Sequence, residues 1–269
     1  MTTPLLCGRR TYVNGLWGQV HIREWGEGPP LVLLHQTPWN GIQFHRLAPH
    51  LAAAGWRVIA PDTPGYGLSE PSPSPPDIED YAASLEVTLH ALGIERAIIG
   101  GHHTGALIAS AFAALSPAMV RGLVLDNPPL YSASEREQRQ SMPHRAFAPV
   151  EGGSHFVDRW AFMRDFADPN LSVENLHLAN LAYYLNDIRA DHGHSAAYRF
   201  DLAALLPLVS APALLLSSRL DPVSGHAERF QNLHPHWNLV HMGGGSANIL
   251  EQPEIWSEAC LSYLRTLPA

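Results

Sequence analysis

The stretch that most constrains the fold is an apolar run, residues 97–99, that stops at paired glycines and resumes as a helix-like segment over residues 106–115. Between them stands Gly101-His102-His103-Thr104-Gly105. These five residues have the spacing of the G-x-S-x-G nucleophile elbow, a strained turn in which flanking glycines allow the central side chain to rise above a sheet. The sequence therefore predicts a strand, a sharp turn and a helix, with histidine in place of serine at the tip.

Short apolar runs alternate with helical patterns on both sides of this turn. A hairpin is predicted over residues 10–26, with Asn14-Gly15 as its turn. Further strands are predicted at 30–34, 56–60, 97–99, 121–125, 212–216 and 238–241, and helices at about 41–54, 77–92, 227–233 and 255–266. This alternation is typical of the α/β class and predicts a mostly parallel sheet of about eight strands with helices on both faces.

The alternation breaks between residues 127 and 204, where longer helical patterns rich in aromatic residues replace it. We interpret residues 127–204 as a helical cap inserted into a core formed by residues 1–126 and 205–269. The aromatic residues of this segment are Trp160, Phe162, Phe166, Tyr183, Tyr184, Tyr198 and Phe200. They favour a mostly apolar small organic molecule as the ligand of a pocket between cap and core.

Composition limits the partners. The 269 residues carry a net charge of −8, with 17 Lys and Arg against 25 Asp and Glu and no basic cluster, which argues against nucleic acid or an anionic membrane. No apolar run approaches the roughly 20 residues of a membrane helix. Cys7 and Cys260 lie near opposite ends, and the first residues lack a signal pattern. The sequence therefore predicts a reduced, cytoplasmic protein, a monomer or homodimer, that acts on a small molecule.

Five motifs follow one another in a recognisable order. They are His35-x-x-Pro38, Asp62-x-x-Gly65-x-Gly67-x-Ser69, the turn centred on His103, Asp221 after a later strand, and Gly245-Ser246 before Glu251-x-Pro253. Together with the inserted segment, this order resembles the α/β-hydrolase superfamily with a helical cap. The resemblance covers nearly the whole chain. It implies a hydrolase that needs no cofactor and no metal.

The chain departs from the family pattern at two positions. His103 stands where the family has its nucleophile, and Ser246 stands where the family has its catalytic histidine. The resemblance implies that Asp221 is the third member, a carboxylate. We expect His103 and Ser246 to face each other as a transposed pair, within about 3.2 Å or through one water. Asp221 should then lie closer to Ser246, and Asp126 is a second acid that could reach His103.

The resemblance also implies an oxyanion hole made by the backbone N–H groups of Thr37 and Thr104. Gln36 replaces a glycine that is usual in this loop, and Trp39 stands beside it. His102 precedes the tip of the elbow and should point away from the pocket. A metal site formed by His35, His102 and His103 is a weaker hypothesis, because adjacent histidines in an extended turn usually point apart.

Three classes of function remain open. The first is hydrolysis of an ester, a lactone or a carbon–carbon bond next to a ketone, using His103 with Ser246 and Asp221. The second is a lyase, decarboxylase or isomerase that uses His103 for proton transfer beside the oxyanion hole. The third is a binding protein that has kept the pocket and lost the chemistry. Of the three classes, hydrolysis ranks first, the non-hydrolytic enzyme second and the binding protein third.

Overall fold

An eight-stranded sheet organises the chain in the computed structural model, which describes residues 8–142, 146–166, 168, 170–186 and 191–268, without the side chain of Phe166. The strand order is β1-β2-β4-β3-β5-β6-β7-β8. Pairing is parallel from β4 through β8 and antiparallel at β1–β2 and β2–β4. The strands are β1 Arg9–Gly15, β2 Gly18–Trp25, β3 Pro30–Leu34, β4 Arg57–Pro61, β5 Ala97–His102, β6 Val120–Asp126, β7 Ala213–Ser218 and β8 Asn238–Met242. The predicted mostly parallel sheet is confirmed.

Helices cover both faces of the sheet, because the central strands are apolar on both sides. Val32 and Leu34 of β3 point into one buried cluster, whereas Leu31 and Leu33 point into the other. The helices are α1 Ala48–Ala53, α2 Ile78–Ala91, α3 Thr104–Leu115, α4 Ala133–Ser141, α5 Ser154–Phe166, α6 Val173–Tyr184, α7 His192–Arg199, α8 Leu202–Leu205, α9 Ala227–Leu233, α10 Asn248–Glu251 and α11 Pro253–Leu264. Residues of α2 and α3 belong to the first cluster and residues of α1 and α11 to the second. This two-faced burial is what continuous apolar strands predict.

Two local predictions need correction. The hairpin exists, but its ladder continues past Asn14 to the pair Gly15–Gly18, so its turn lies at residues 16–17. Gly18 has a φ of +129°, which glycine adopts readily. The helix predicted over 41–54 is divided into a 3₁₀ turn, Gly41–Phe44, and α1. Proline fits only the first turn of a helix, and Pro49 accordingly lies in the first turn of α1.

The segment between β6 and β7 contains α4 to α8 and, over the ranges that the structure describes, no strand. It is tied to the loops at the carboxyl ends of β3 and β4. Asn186 donates to the carbonyl oxygen of Pro38 at 2.7 Å and accepts from the N–H of Gly67 at 3.0 Å. The N–H of Gly193, in α7, donates to the hydroxyl of Tyr66 at 2.7 Å. These contacts place α7 over the carboxyl ends of the central strands. The division of the chain into core and cap stays a prediction.

None of the helices that the structure describes is both long and apolar enough to cross a membrane. Cys260 is buried and free, whereas Cys7 lies outside the described residues.

Candidate active site

The elbow stands between β5 and α3. β5 ends at His102 and α3 begins at Thr104, so His103 alone makes the turn, with a φ of 47° and a ψ of −112°. This is a sparsely populated conformation for a residue with a side chain, and such strain costs about 1–3 kcal/mol. A Cβ on Gly101 would lie 2.2 Å from the backbone of Gly105, and a Cβ on Gly105 would lie 2.0 Å from the carbonyl oxygen of Leu34. The two glycines are therefore required by close packing of the backbone.

His103 is hydrogen-bonded to Asp221, which follows β7. The distance from His103 Nε2 to Asp221 Oδ2 is 2.8 Å. Asp221 is buried, and its other oxygen accepts a hydrogen bond from the N–H of Val223 at 2.9 Å. A carboxylate only accepts hydrogen bonds, so the proton of the neutral ring lies on Nε2. His103 Nδ1 is then the nitrogen that can accept a proton.

The two partners shift each other's pKa. Burial by itself lowers the pKa of His103, but the charge of Asp221, the hydrogen bond to it and the charge of Asp126 outweigh burial and raise that pKa above its ordinary value. Burial raises the pKa of Asp221, and the charge and hydrogen bond of His103 outweigh it, so the pKa of this carboxyl is lowered. His103 therefore becomes a stronger base than a free imidazole.

A second histidine–carboxylate pair lies directly behind the first. His102 Nδ1 is 2.9 Å from Asp126 Oδ2, and the two residues are neighbours in the β5–β6 register. Asp126 also accepts from the indole N–H of Trp256 and from the amide of Asn127, both at 3.0 Å. The rings of His102 and His103 stack with centroids 4.2 Å apart. The carboxylate of Asp126 thus pairs with His102 and not with the His103 ring, while the Asp126 carbonyl oxygen accepts from the N–H of His103 at 3.1 Å.

A cavity of about 450 Å³ opens in front of His103. This volume suits a small organic ligand. Six of the candidate site residues line it: Gln36, Thr37, Trp39, His103, Thr104 and Ser246. Three of the aromatic residues named in the segment 127–204 also line it: Phe162, Tyr183 and Tyr198. Asp221 is buried next to the lining residues Pro222 and Val223.

Ser246 and His103 share the cavity but are not hydrogen-bonded to each other in the described part of the chain. Ser246 is half-buried on the lining, whereas His103 makes its side-chain hydrogen bond to Asp221. The expected direct hydrogen bond is therefore absent among the described residues, and Asp221 is hydrogen-bonded to His103 and not to Ser246. The physical reason is that the raised backbone of the elbow aims the His103 ring at the loop after β7. The other expected arrangement, a bridge between His103 and Ser246 through one water, stays a prediction.

Thr37 and Thr104 are both buried and line the same cavity as His103. Thr104 is the first residue of α3, and the first N–H groups of a helix have no acceptor within the helix. Their role as an oxyanion hole stays a prediction. Gln36 is fixed by its own N–H, which donates to Gln43 Oε1 at 3.0 Å, and Trp39 is buried.

His35 braces the loops and is not part of a metal cluster. Its Nδ1 is 2.9 Å from the carbonyl oxygen of Gln36, and its Nε2 accepts from the N–H of Thr63 at 2.9 Å. Burial lowers its pKa and so keeps the ring neutral. Among the residues that the structure describes, no group of three or more His, Cys, Asp or Glu side chains is arranged to hold a metal.

The sequence interpretation missed two arginines of the cavity, Arg139 on α4 and Arg159 on α5. The guanidinium of Arg159 lies 3.7 Å from the ring centroid of Tyr183, and that of Arg139 lies 5.2 Å from that of Tyr131. The sequence signalled only that this segment is aromatic. An arginine in a helical pattern usually lies at the surface, so nothing in the pattern marked these two as lining a pocket.

Comparisons with known proteins agree with this fold. A family model described as alpha/beta hydrolase fold matches residues 29–252. The chain therefore belongs to the α/β-hydrolase fold family.

Its relatives include hydrolases of several kinds. The bifunctional epoxide hydrolase 2 of Rattus norvegicus is 38% identical over 117 residues, which are 42% of this chain and 21% of the relative, so the match spans about a fifth of that protein. The (E)-2-((N-methylformamido)methylene)succinate hydrolase of Acinetobacter baylyi is 25% identical over 92% of this chain and 95% of its own. The enol-lactonase of Burkholderia xenovorans has a similar structure, with a TM-score of 0.80, 21% identity and coverage of 95% of this chain and 100% of its own. At that identity, the last likeness shows the fold alone.

Proposed function

We propose that the chain hydrolyses an ester, a lactone or a carbon–carbon bond next to a ketone in a small, mostly apolar organic substrate, with His103 as the general base. The observation that carries this proposal is the 2.8 Å hydrogen bond between His103 Nε2 and Asp221 Oδ2 beside a cavity of about 450 Å³. The bond holds the ring so that Nδ1 is the free base. The hydrolase names of the relatives support the reaction class.

For an ester, the proposed step uses water and no covalent enzyme intermediate. His103 Nδ1 takes a proton from a water molecule while the water oxygen bonds to the carbonyl carbon. The N–H groups of Thr37 and Thr104 donate to the oxygen that becomes negative. The bond from carbon to the leaving oxygen then breaks, and Nδ1 returns the proton to that oxygen. Asp221 stabilises the imidazolium between the two transfers.

Ser246 has a supporting place in this proposal. Its hydroxyl lies on the cavity lining with His103, and the two are not directly hydrogen-bonded. It can hold the attacking water or contact the substrate, but it lacks the adjacent base that a serine nucleophile requires. The reaction therefore depends on His103 and Asp221 far more than on Ser246.

Turnover of a substrate panel tests the proposal. Wild-type protein is assayed with 4-nitrophenyl esters, small lactones, 1,3-diketones and styrene oxide, in ¹⁸O-labelled water. We expect hydrolysis of at least one carbonyl substrate, with one ¹⁸O in the acid product, and a loss of about 10²- to 10⁴-fold in kcat/KM in His103→Gln. Turnover that His103→Gln leaves unchanged, or turnover of styrene oxide alone, would overturn the proposal.

A second candidate is proton transfer without hydrolysis, as in a lyase, decarboxylase or isomerase. It is favoured by the residue at the elbow tip, which is an imidazole and not a hydroxyl or a carboxylate. Such an enzyme would exchange a proton next to a substrate carbonyl with solvent. Exchange in D₂O that depends on His103, with no ¹⁸O entering any product, would favour this candidate over hydrolysis.

A further inference from the structure

Arg159 is a buried cation that faces the cavity. It lies on α5, is 5% exposed and lines the cavity. Its guanidinium carbon is 3.7 Å from the ring centroid of Tyr183 and 5.4 Å from that of Phe147. In the described ranges, no carboxylate lies within 4.0 Å of its nitrogens, and its Nε has no hydrogen-bond partner. Within the part of the chain that the structure describes, this guanidinium therefore has no hydrogen-bond acceptor for its Nε and no carboxylate partner.

A buried charge without an opposite charge is costly, and a buried polar group without a hydrogen bond adds to that cost. Burial lowers the pKa of Arg159 to about 10, against the raising effect of Tyr183, Tyr184 and Asp191, so the side chain stays charged near neutral pH. The two aromatic faces offset part of the cost through cation–π contact. They supply no hydrogen-bond acceptor in the plane of the guanidinium.

The acids of the same cavity are engaged elsewhere. Asp168 accepts hydrogen bonds from the N–H groups of Asn170 and Ala247, at 2.9 and 3.2 Å. Asp191 lies 3.6 Å from His194. The other cavity arginine, Arg139, is half-exposed, and its guanidinium lies over Tyr131 and Tyr198 at 5.2 and 5.7 Å. Arg159 is thus the deeper of two cations for which a ligand can provide the acceptor.

We infer that Arg159 binds a carboxylate of the ligand, so that the molecule bound at His103 is an organic acid with an apolar body and one anionic end. Guanidinium donates two parallel hydrogen bonds to a carboxylate, and such bonds strengthen in a dry site. One guanidinium between aromatic rings matches a monoanion. A phosphate would need more donors than this wall provides. The identity of the bond that reacts rests on the proposed function, whereas the binding of a carboxylate by Arg159 does not.

Binding is tested first, without turnover. His103→Gln protein, which lacks the catalytic imidazole, is titrated with benzoate and with the neutral isostere benzamide by calorimetry. We expect benzoate to bind at least about 10-fold more tightly than benzamide, and we expect Arg159→Gln in this background to abolish the difference. Arg164→Gln is the matched control, because Arg164 lies on the same helix, outside the cavity lining, and bonds to the carbonyl oxygen of Leu171.

Several results would overturn the inference. Equal affinity of the His103→Gln protein for benzoate and benzamide would do so even if Arg159→Gln fails to fold. If Arg139→Gln loses the preference for benzoate and Arg159→Gln keeps it, the carboxylate binds Arg139 and not Arg159. If Arg159 is purely structural, its substitution should lower the melting temperature and leave the ratio of the affinities for benzoate and benzamide unchanged. Arg159→Lys, which keeps the charge, should retain part of the preference.

A matched pair of substrates separates this inference from the proposed function. Wild-type protein is given 4-nitrophenyl hydrogen glutarate, which is anionic, and 4-nitrophenyl butyrate, which is neutral. We expect a lower KM for the anionic ester and loss of that advantage in Arg159→Gln, whereas Arg164→Gln, outside the cavity lining, should keep it. Carboxylate binding without any ester turnover would reject hydrolysis alone. Equal KM values for both esters would reject the carboxylate site alone.

Discussion

Two histidine–aspartate pairs lie one ring apart in this protein, and only one of them meets the cavity. The hydrogen bonds are nearly equal, 2.8 Å for His103–Asp221 and 2.9 Å for His102–Asp126. The side chain of His103 is 23% exposed, whereas that of His102 is 0% exposed. Identical chemical groups can therefore serve as a candidate base or as a structural brace, and their access to solvent and ligand decides between these roles.

The backbone creates this difference within two residues. His102 still belongs to β5, and its pairing with β6 sets its ring beside Asp126. His103 leaves the strand through a positive φ, and its ring turns toward the loop after β7. Asp126 has Trp256 and Asn127 as further donors, so its pair is enclosed on all sides. Among the described residues, the carboxylate of Asp221 accepts hydrogen bonds from the His103 ring and from the N–H of Val223 alone.

Activity should separate the two pairs most strongly. We expect His103→Gln to lower kcat/KM by about 10²- to 10⁴-fold, the usual contribution of a general base. His102→Gln should lower it by less than about 10-fold, because His102 is not among the residues that line the cavity. Steady-state kinetics on one ester, with folding checked by circular dichroism, gives the comparison. Equal losses in the two variants would remove the distinction between base and brace.

Stability should separate the pairs in the opposite direction. Asp126→Ala leaves His102 and the indole of Trp256 without their buried acceptor, and such breaks cost about 3–5 kcal/mol. Asp221→Ala leaves His103 beside a cavity that water can enter, so the loss of unfolding free energy should be about 1–2 kcal/mol. Urea unfolding measures both values. A larger loss in Asp221→Ala would show that the pair at the cavity is the structural one.

The sequence predicted the elbow and the residues of both pairs, but not which aspartate is hydrogen-bonded to which histidine. Glycine spacing identified the elbow, because a strand-to-helix turn allows no Cβ at Gly101 or Gly105. The resemblance to the family placed Asp221 near the site. It did not tell which carboxylate meets which histidine, since that depends on the direction of each ring after a one-residue turn. Arg159 was missed for a similar reason, because its helix has no clear polar face from which burial could be deduced.

The pH dependence of activity reports the raised pKa of His103. The proposed base must be neutral, so kcat/KM should rise with pH and level off above a pKa that is higher than the ordinary value of about 6.5. Asp221→Asn removes the charge that raises this pKa. The midpoint should therefore move to lower pH in that variant, together with a lower plateau. His102→Gln should leave the midpoint above 6.5.

The same pair links pH to stability. The raised pKa of His103 stabilises the fold fully below its unfolded value of about 6.5, and this gain is lost as pH rises through the folded pKa. The lowered pKa of Asp221 stabilises the fold above its unfolded value of about 3.9, and that gain is lost as pH falls. The difference in unfolding free energy between wild type and Asp221→Asn should be widest between about pH 4 and 6.5. A difference that does not vary with pH would contradict the ion pair.

Backbone strain offers a smaller contrast between the two positions. At residue 103, Gly should be more stable than Ala by about 1 kcal/mol, because a φ of 47° disfavours any side chain. At residue 102, which lies in a strand, Ala should be more stable than Gly by a similar amount. Thermal unfolding of His103→Gly, His103→Ala, His102→Gly and His102→Ala checks the sign at each position. A higher stability of Ala than of Gly at both positions would show that the turn relaxes when the imidazole is removed.

Ser246 should give the smallest effect on activity. Its hydroxyl shares the cavity with His103 but lacks a hydrogen bond to it in the described part of the chain, so it has no base to remove its proton. We expect Ser246→Ala to lower kcat/KM by less than about 10-fold, the loss of one hydrogen bond to water or ligand of about 0.5–1.5 kcal/mol. A serine-directed fluorophosphonate should leave Ser246 unlabelled. Strong labelling of Ser246, together with a loss in Ser246→Ala as large as that in His103→Gln, would mean that the loop carrying Ser246 moves to His103 in the working enzyme. The base would then serve a serine nucleophile and not water, and His102–Asp126 would remain the brace behind it.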